Sequence, residues 1–217
     1  MTGLDLESLL IQAIAVILAM SIHEMAHGLV SYWLGDPTAK QAHRLSLNPF
    51  RHVDWSGLLC LLLFGFGWAK PVPIDPRYYK DPKSGIIWTS FAGPASNFLL
   101  AFVCVLLYYA MVRFCPGFML GNWLGSFLSQ VLAVTAIIST GFGIFNLIPI
   151  PPLDGSKIVF SFLPPDKYYK FTRGTPWMTL VFIALLWSGI ISGPIGWLRS
   201  EFIDFFSTIA MHLFGLA

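Results

Sequence analysis

Two histidines and a glutamate lie close together in an apolar stretch near the start of the chain, at His23, Glu24 and His27. Residues four apart in a helix lie on one face, one turn from each other, so the two imidazoles can bind one metal ion. A glutamate directly after the first histidine can act as a general base beside that ion, and the His-Glu-x-x-His arrangement is typical of zinc proteases. The pattern alone is common, but ionisable residues in a membrane-embedded helix cost roughly 2.5–3.5 kcal/mol each when charged. Their presence there argues for a functional site.

A third ligand must come from elsewhere, because a catalytic zinc site has three protein ligands and one open position. His43, His52 and His212 are candidates, as are the few carboxylates near apolar segments. Asp154 is favoured because it follows a proline-rich break, residues 146–153, at the end of an apolar segment. Irregular backbone at membrane depth is tolerated only where it lines a cavity or is buried in protein.

The composition places these residues in a membrane protein. Of the 217 residues, 56% are hydrophobic and 11% are charged, against roughly 25% charged in a soluble domain. Residues 84–112, 114–153 and 174–198 carry no charge at all. A net charge of +2 gives no basic surface for nucleic acid. We therefore expect a small multi-pass protein of the lipid bilayer with no nucleic-acid partner.

The expected fold class is an all-α membrane protein with about four transmembrane helices, forming a single domain over residues 1–217. The four spans are predicted at residues 6–35, 84–113, 125–148 and 176–198.

Two further segments complete this prediction. The apolar stretch 57–69 is too short to cross a bilayer and indicates a re-entrant segment. Alternation of His43, Leu45 and Leu47 with polar neighbours indicates a short strand, so a re-entrant or β-hairpin segment is expected between the first two spans. Residues 199–217 are expected to form a helix on the membrane surface.

The basic residues indicate the orientation, because cytoplasmic loops are enriched in Lys and Arg. Of the 13 basic residues, seven lie between the first two spans and four follow the third. With four spans both loops are cytoplasmic, and Asp154 falls on the same side as His23 and His27. If residues 57–69 crossed the bilayer, Asp154 would emerge on the opposite side and could not make metal bonds of about 2 Å. We expect a plasma-membrane protein whose active site lies toward the cytoplasm.

The chain resembles the site-2 protease family of intramembrane zinc metalloproteases, in a minimal, core-only form. The resemblance covers roughly residues 6–157 and depends on several motifs in order. These are His23-Glu24-Met25-Ala26-His27, Leu47-Asn48-Pro49-Phe50-Arg51-His52-Val53-Asp54, Lys70-Pro71-Val72-Pro73, Phe91-Ala92-Gly93-Pro94-Ala95-Ser96-Asn97 and Asn146-Leu147-Ile148-Pro149-Ile150-Pro151-Pro152-Leu153-Asp154-Gly155.

This resemblance implies one zinc ion per chain, with His23, His27 and Asp154 as ligands and Glu24 as the general base. The implied substrate is a transmembrane segment of another membrane protein. A water molecule activated by Glu24 attacks its peptide bond, as in regulated intramembrane proteolysis.

Three further residues are assigned with this resemblance. Asn97 and Asn146 are expected to bind substrate or the oxyanion, although an asparagine in a lipid-depth helix often hydrogen-bonds a neighbouring helix instead. His52 is expected to support the site and not to be a ligand.

Two other functions fit the same residues. The first is a metal transporter or channel that uses the His and Asp cluster as an ion path. Transporters often contain repeated halves, and no repeat is visible in the sequence. The second is a non-catalytic protein that binds helices in the same groove. No oligomeric state is predicted.

Overall fold

Three long helices form the main bundle of the fold. The computed structural model describes residues 6–64, 70–164, 168, 184–185 and 187–216. The long helices are α1 (Leu6–Trp33), α4 (Pro82–Phe114) and α6 (Trp123–Asn146). Each is long and apolar enough to cross a membrane, and the three correspond to the first three predicted spans.

Shorter helices connect and follow the long ones. They are α2 (Thr38–Gln41), α3 (Trp55–Phe64), α5 (Pro116–Gly121), α7 (Asp154–Phe160) and a longer C-terminal helix, α8 (Ser192–Phe214), with 3-10 turns at Pro49–Arg51 and Pro76–Tyr78. The described residues therefore form an all-α fold, as predicted.

The expected β-hairpin is absent from the described residues. Residues 38–41 form the helical turn α2, and Val53 makes only an isolated bridge. Pro37 is the N-cap of this turn and has no side chain that could cap it, and the Thr38 N–H donates to Asp36 Oδ1 at 2.9 Å. Within the predicted re-entrant stretch 57–69, α3 includes residues 57–64, and residues 65–69 lie outside the described part of the chain.

The three long helices pack against one another through small residues. Ala15 and Ala19 of α1, Ala101 of α4 and Ser139 of α6 are fully buried. Small residues let helix backbones approach closely, which is the main route to helix association where lipid replaces water. The Ser139 hydroxyl donates to the Asn97 carbonyl at 2.9 Å and so fixes α6 against α4.

The C-terminal helix differs from the prediction. α8 begins at Ser192, so the predicted boundary between a span at 176–198 and a surface helix at 199–217 falls inside one continuous helix. Within the predicted fourth span, residues 176–183 and 186 lie outside the described part of the chain, and residues 188–191 separate the helical residue 187 from α8. The surface location of residues 199–217 stays a prediction, but the boundary expected at residue 199 is wrong because the charges that begin at Arg199 do not end the helix. They share it with an apolar stripe.

This stripe packs α8 into the bundle against α4 and α6. Phe202, Phe206 and Ala210 are four residues apart and therefore lie on one face of α8. The Phe202 ring lies 4.8 Å from that of Phe98, and the Phe206 ring lies 5.3 Å from that of Phe102. Phe206 and Ala210 belong to the buried apolar core of the described residues.

Replacing Ala210 with Phe should test this docking. Ala210 is fully buried, and overpacking a core position costs about 1–3 kcal/mol. We expect a lower unfolding temperature for the purified protein in detergent. The matched control is Leu213→Phe, at a site 66% exposed on the same helix, which should leave the unfolding temperature unchanged. Equal unfolding temperatures for both variants would mean that α8 does not pack as described.

Candidate metal centre

The side chains of His23, His27 and Asp154 meet inside the bundle. The two histidines are one turn apart on α1, and Asp154 is the first residue of α7. Asp154 Oδ2 lies 3.1 Å from His23 Nε2 and 3.0 Å from His27 Nε2, and the two Nε2 atoms are 3.0 Å apart. All three residues are buried. Together they form a group of potential metal ligands within the described part of the chain.

This group has the donor atoms and the spacing of a zinc site. Four ligands about 2.1 Å from a tetrahedral zinc ion are separated by roughly 3.4 Å, close to the observed 3.0–3.1 Å. Two imidazole nitrogens and a carboxylate oxygen make three protein donors. A catalytic zinc site adds a water molecule or substrate as the fourth ligand. The residues present therefore fit zinc.

The turn after α6 delivers Asp154 to the histidines. A side chain at Gly155 would overlap the Leu147 carbonyl group, so a glycine at this position allows α7 to begin directly against the end of α6. Lys157 then binds the second carboxylate oxygen, with Nζ 2.8 Å from Asp154 Oδ1. One oxygen of Asp154 faces the histidines and the other is held by Lys157.

Helix α4 orients both imidazole rings. His27 Nδ1 donates to the Thr89 carbonyl at 2.6 Å, which leaves Nε2 as the nitrogen with a free lone pair. Behind the other ring, the fully buried Asn97 amide lies 3.2 Å from His23 Nδ1. Metal-bound histidines usually donate their second ring N–H in this way.

The Asn97 amide can serve as the acceptor for that N–H. Its Oδ1 atom is buried without a hydrogen-bond partner among the described residues when Nδ2 faces His23. The two ends of an amide have almost the same shape, so a half-turn places Oδ1 against His23 Nδ1. Oδ1 then accepts the His23 Nδ1–H, and His23 presents Nε2 to the metal position.

Gly93 allows α4 to approach the histidines. A Cβ atom there would lie 2.6 Å from His23 Cε1 and closer still to the His27 ring. In the sequence Gly93 is only part of a motif, with no role of its own. A glycine in an apolar helix next to a proline signals close backbone approach, but the sequence does not say to which group.

The other predicted site residues lie outside the three-ligand group. The Asn146 side chain donates to the Phe142 carbonyl of its own helix at 3.0 Å. His52 is almost fully buried, with Nε2 2.8 Å from the Ser46 carbonyl oxygen. Burial lowers the pKa of His52 despite this contact. The substrate role of Asn146 and the supporting role of His52 stay predictions.

Glu24 contacts a non-helical segment at residues 70–75. Its Oε2 atom accepts a hydrogen bond from the Val72 N–H at 2.8 Å. Glu24 is half-buried and directly follows His23 in α1. Its role as the general base stays a prediction, and the sequence contains no signal for its contact with Val72.

A chain of hydrogen bonds extends from Thr89 to the end of the bundle. The Tyr79 hydroxyl lies 3.1 Å from Thr89 Oγ1 and 2.7 Å from Ser31 Oγ, and the Ser31 hydroxyl donates to Asp36 Oδ2 at 2.7 Å. Burial raises the pKa of Asp36, but hydrogen bonds led by that of the Asp75 N–H outweigh it and hold this pKa below its ordinary value. The sequence gives no signal for this chain, because its members lie far apart in sequence.

Replacing Gly93 with Ala should weaken metal binding. The added methyl group would displace one or both imidazoles, so we expect purified protein with well under one zinc per chain, measured by elemental analysis. Gly141→Ala is the matched control, because a Cβ at Gly141 meets its nearest neighbour, Arg199 Cδ, at 3.8 Å. Full zinc occupancy in Gly93→Ala would contradict the close packing of α4 on the ligands.

Replacing Lys157 with Gln should raise the dissociation constant for zinc. Loss of a group that holds a metal ligand typically costs 10–100-fold in affinity. The Lys157 side chain is 45% exposed, so we expect an increase at the lower end of this range. The dissociation constant for zinc should rise about tenfold in a competition titration with a zinc chelator. Lys80→Gln, at an exposed lysine, provides the baseline. An unchanged dissociation constant would show that Asp154 does not need this contact.

Comparison with known proteins agrees with the site. The family model "Peptidase family M50" matches residues 117–188. A Bacillus subtilis (strain 168) protein named "Putative zinc metalloprotease YwhC" is 34% identical over 209 residues, which cover 92% of each chain. No solved structure gives a significant match.

Two further relatives have similar names. "Putative zinc metalloprotease Rip2" of Mycolicibacterium smegmatis is 27% identical over 78% of this chain and 64% of its own length. "Putative zinc metalloprotease MJ0611" of Methanocaldococcus jannaschii is 35% identical over 48% of each chain. The extent of the match to the Bacillus protein confirms the resemblance inferred from the motifs. The chain belongs to peptidase family M50, the site-2 protease family of zinc metalloproteases.

Proposed function

We propose that this protease is an intramembrane zinc metalloendopeptidase that cleaves transmembrane segments of other membrane proteins. In this proposal His23, His27 and Asp154 hold the zinc ion and Glu24 is the general base. The main support is the convergence of three buried ligand atoms, 3.0–3.1 Å apart, within a bundle of apolar helices. Such a group is expensive to bury in lipid unless it binds a cation.

The position of the ligands along α1 supports cleavage within the membrane. His23 lies ten residues before the last residue of α1, Trp33, which is roughly 15 Å at 1.5 Å per residue. Substrate reaching this depth is itself embedded in the bilayer. A transmembrane helix is therefore the substrate class that fits the site.

The charge distribution supports an active site toward the cytoplasmic side of the membrane, and the plasma membrane is the location we propose. α1 ends, α4 begins and α6 ends at the same end of the bundle, since the three helices alternate in direction. The connection from α1 to α4, the first turn of α4 and the segment between α6 and α8 together carry 11 of the 13 basic residues. The opposite connection, through α5, carries none. By the positive-inside rule the basic end faces the cytoplasm.

The chain's own groups divide the chemical work. Zinc, when bound, supplies a Lewis acid that polarises the scissile carbonyl and lowers the pKa of a water molecule. Glu24 accepts the proton of the attacking water and then delivers it to the leaving nitrogen. The Thr89 carbonyl and the Asn97 amide keep the two imidazoles in the orientation that ligation requires.

A substrate helix must unwind locally before attack, because its backbone amides are already hydrogen-bonded. The non-helical 70–75 segment lies beside Glu24, so an unwound strand that reaches the general base must lie next to it. Its prolines at Pro71 and Pro73 keep the segment itself out of a helix.

Replacing Glu24 with Gln should abolish cleavage and leave zinc in place. The change keeps the size of the side chain but removes the base, which is typically worth 10²–10⁴-fold in rate. The test is co-expression with a library of single-span membrane proteins, followed by zinc analysis of the purified enzyme. Glu201→Gln, at an exposed glutamate on α8, should cleave at the wild-type rate.

The outcomes separate the proposal from the other two functions. Wild-type cleavage rates in Glu24→Gln would contradict the role of Glu24. Zinc transport into proteoliposomes without proteolysis would support a transporter, and bound zinc without cleavage or transport would support a helix-binding protein.

A further inference from the structure

The 70–75 segment is tied down at several points around Glu24. The Lys70 N–H donates to the His52 carbonyl at 3.0 Å, the Val72 N–H donates to Glu24 Oε2 at 2.8 Å, and the Asp75 N–H donates to Asp36 Oδ2 at 2.8 Å. Pro71 and Pro73 have no N–H to donate. The donors at positions 70, 72 and 75 therefore all bind groups elsewhere in the chain.

Arg44 binds the carbonyl oxygens at the beginning of the 70–75 segment. Its Nη2 atom donates to the Lys70 carbonyl at 2.5 Å and its Nη1 atom donates to the Pro71 carbonyl at 3.2 Å. Arg44 is only 7% exposed and forms no salt bridge with a carboxylate within the described residues, which is rare for a buried arginine. The guanidinium fork suits two acceptors side by side, a geometry that lysine cannot reproduce.

The side chain of Val72 packs against α1 at Gly28. A Cβ at Gly28 would lie 3.0 Å from Val72 Cγ1, so the segment rests on the helix where glycine leaves room. Gly28 follows His27 in sequence. Val72 is 7% exposed. This packing fixes the distance between the Val72 amide and α1, the helix that carries Glu24.

We propose that Arg44 is a positioning residue for the general base: by gripping the Lys70 and Pro71 carbonyls it keeps the Val72 N–H on one oxygen of Glu24. This inference rests on the proposed function of Glu24. With one carboxylate oxygen fixed, the other is directed to the reacting water. Without the grip, the segment shifts and Glu24 changes rotamer. A misplacement of about 1 Å at a catalytic group can cost about 10²-fold in rate.

A proline at position 72 removes the donor directly. Val72 lies between two prolines, so its backbone is already restricted to extended conformations that proline also adopts. We expect Val72→Pro to keep zinc and bind substrate with little change in KM but to lower kcat ten- to a hundredfold. Val72→Ala, which keeps the N–H and loses only methyl groups, should lose much less. Equal kcat values for the two variants would overturn the role of the N–H.

Arg44 is tested by a double-mutant cycle with this variant. Arg44→Gln alone should lower kcat to a similar extent, and adding it to Val72→Pro should cost little more, because both act through one contact. Arg44→Lys keeps the positive charge but not the two-carbonyl grip, so it should behave like Arg44→Gln. Arg51→Gln, at an exposed arginine nearby, should cleave normally. Fully additive losses, or wild-type kcat in Arg44→Lys, would refute the proposal.

Hydrogen exchange gives a readout that does not depend on cleavage. In a peptide spanning residues 71–75 only Val72, Ile74 and Asp75 have exchanging amides. We expect Arg44→Gln and Glu24→Ala each to speed exchange of one amide or more by at least tenfold, whereas Arg51→Gln should not. Unchanged exchange in both variants would overturn the inference even if the protein proved not to be a protease. Faster exchange together with an inactive wild type would instead remove the proposed function and leave the structural contact.

Discussion

A carboxylate oxygen and two imidazole nitrogens lie 3.0–3.1 Å from one another inside a bundle of apolar helices. Placing a charged carboxylate in such a setting costs several kcal/mol unless a cation offsets it. This cost explains why the apolar helices contain so few ionisable groups, and why His23, His27 and Asp154 lie together. Asp154 and His23 are 131 residues apart in sequence and meet only in the folded chain. The packing of the long helices therefore decides whether the site exists.

Helix α4 sets the geometry of the site although none of its side chains belongs to the ligand group. Thr89, Gly93 and Asn97 are four residues apart, so they lie on one face of α4. That face meets the two histidines of α1. Thr89 accepts from one ring, Asn97 contacts the other, and Gly93 leaves the space in which both rings fit. Orientation and close approach thus come from the same stripe of α4.

The sequence predicts the parts of the structure that depend on local patterns. Long apolar segments identify α1, α4 and α6, because a spanning helix needs its length and composition within one stretch of chain. The spacing of His23 and His27, with the proline break before Asp154, groups the three side chains that the structure brings together. What local patterns do not contain is the partner of each polar group. The contacts of Lys157, Gly93 and Arg44 depend on how distant segments pack.

The differences between prediction and structure have the same origin. Alternation at His43, Leu45 and Leu47 suggests a strand, but residues 38–41 form a helical turn just before it, with the Thr38 N–H bound to Asp36. The charges after Leu198 suggest that a separate helix starts there, but α8 continues through this point and its stripe through Phe206 and Ala210 packs against α4 and α6. In each case a nearby contact outweighs a weak local pattern.

The most direct test of this account is X-ray absorption spectroscopy at the zinc K-edge of the purified protein. The account predicts one zinc ion per chain with four nitrogen or oxygen neighbours at about 2.0–2.1 Å, and scattering from the outer atoms of two imidazole rings. The scattering from outer imidazole atoms should fall by half in His27→Ala if the zinc ion is retained, because one of the two rings is lost. A sulfur neighbour at about 2.3 Å, or zinc without imidazole scattering, would contradict the site built from His23, His27 and Asp154.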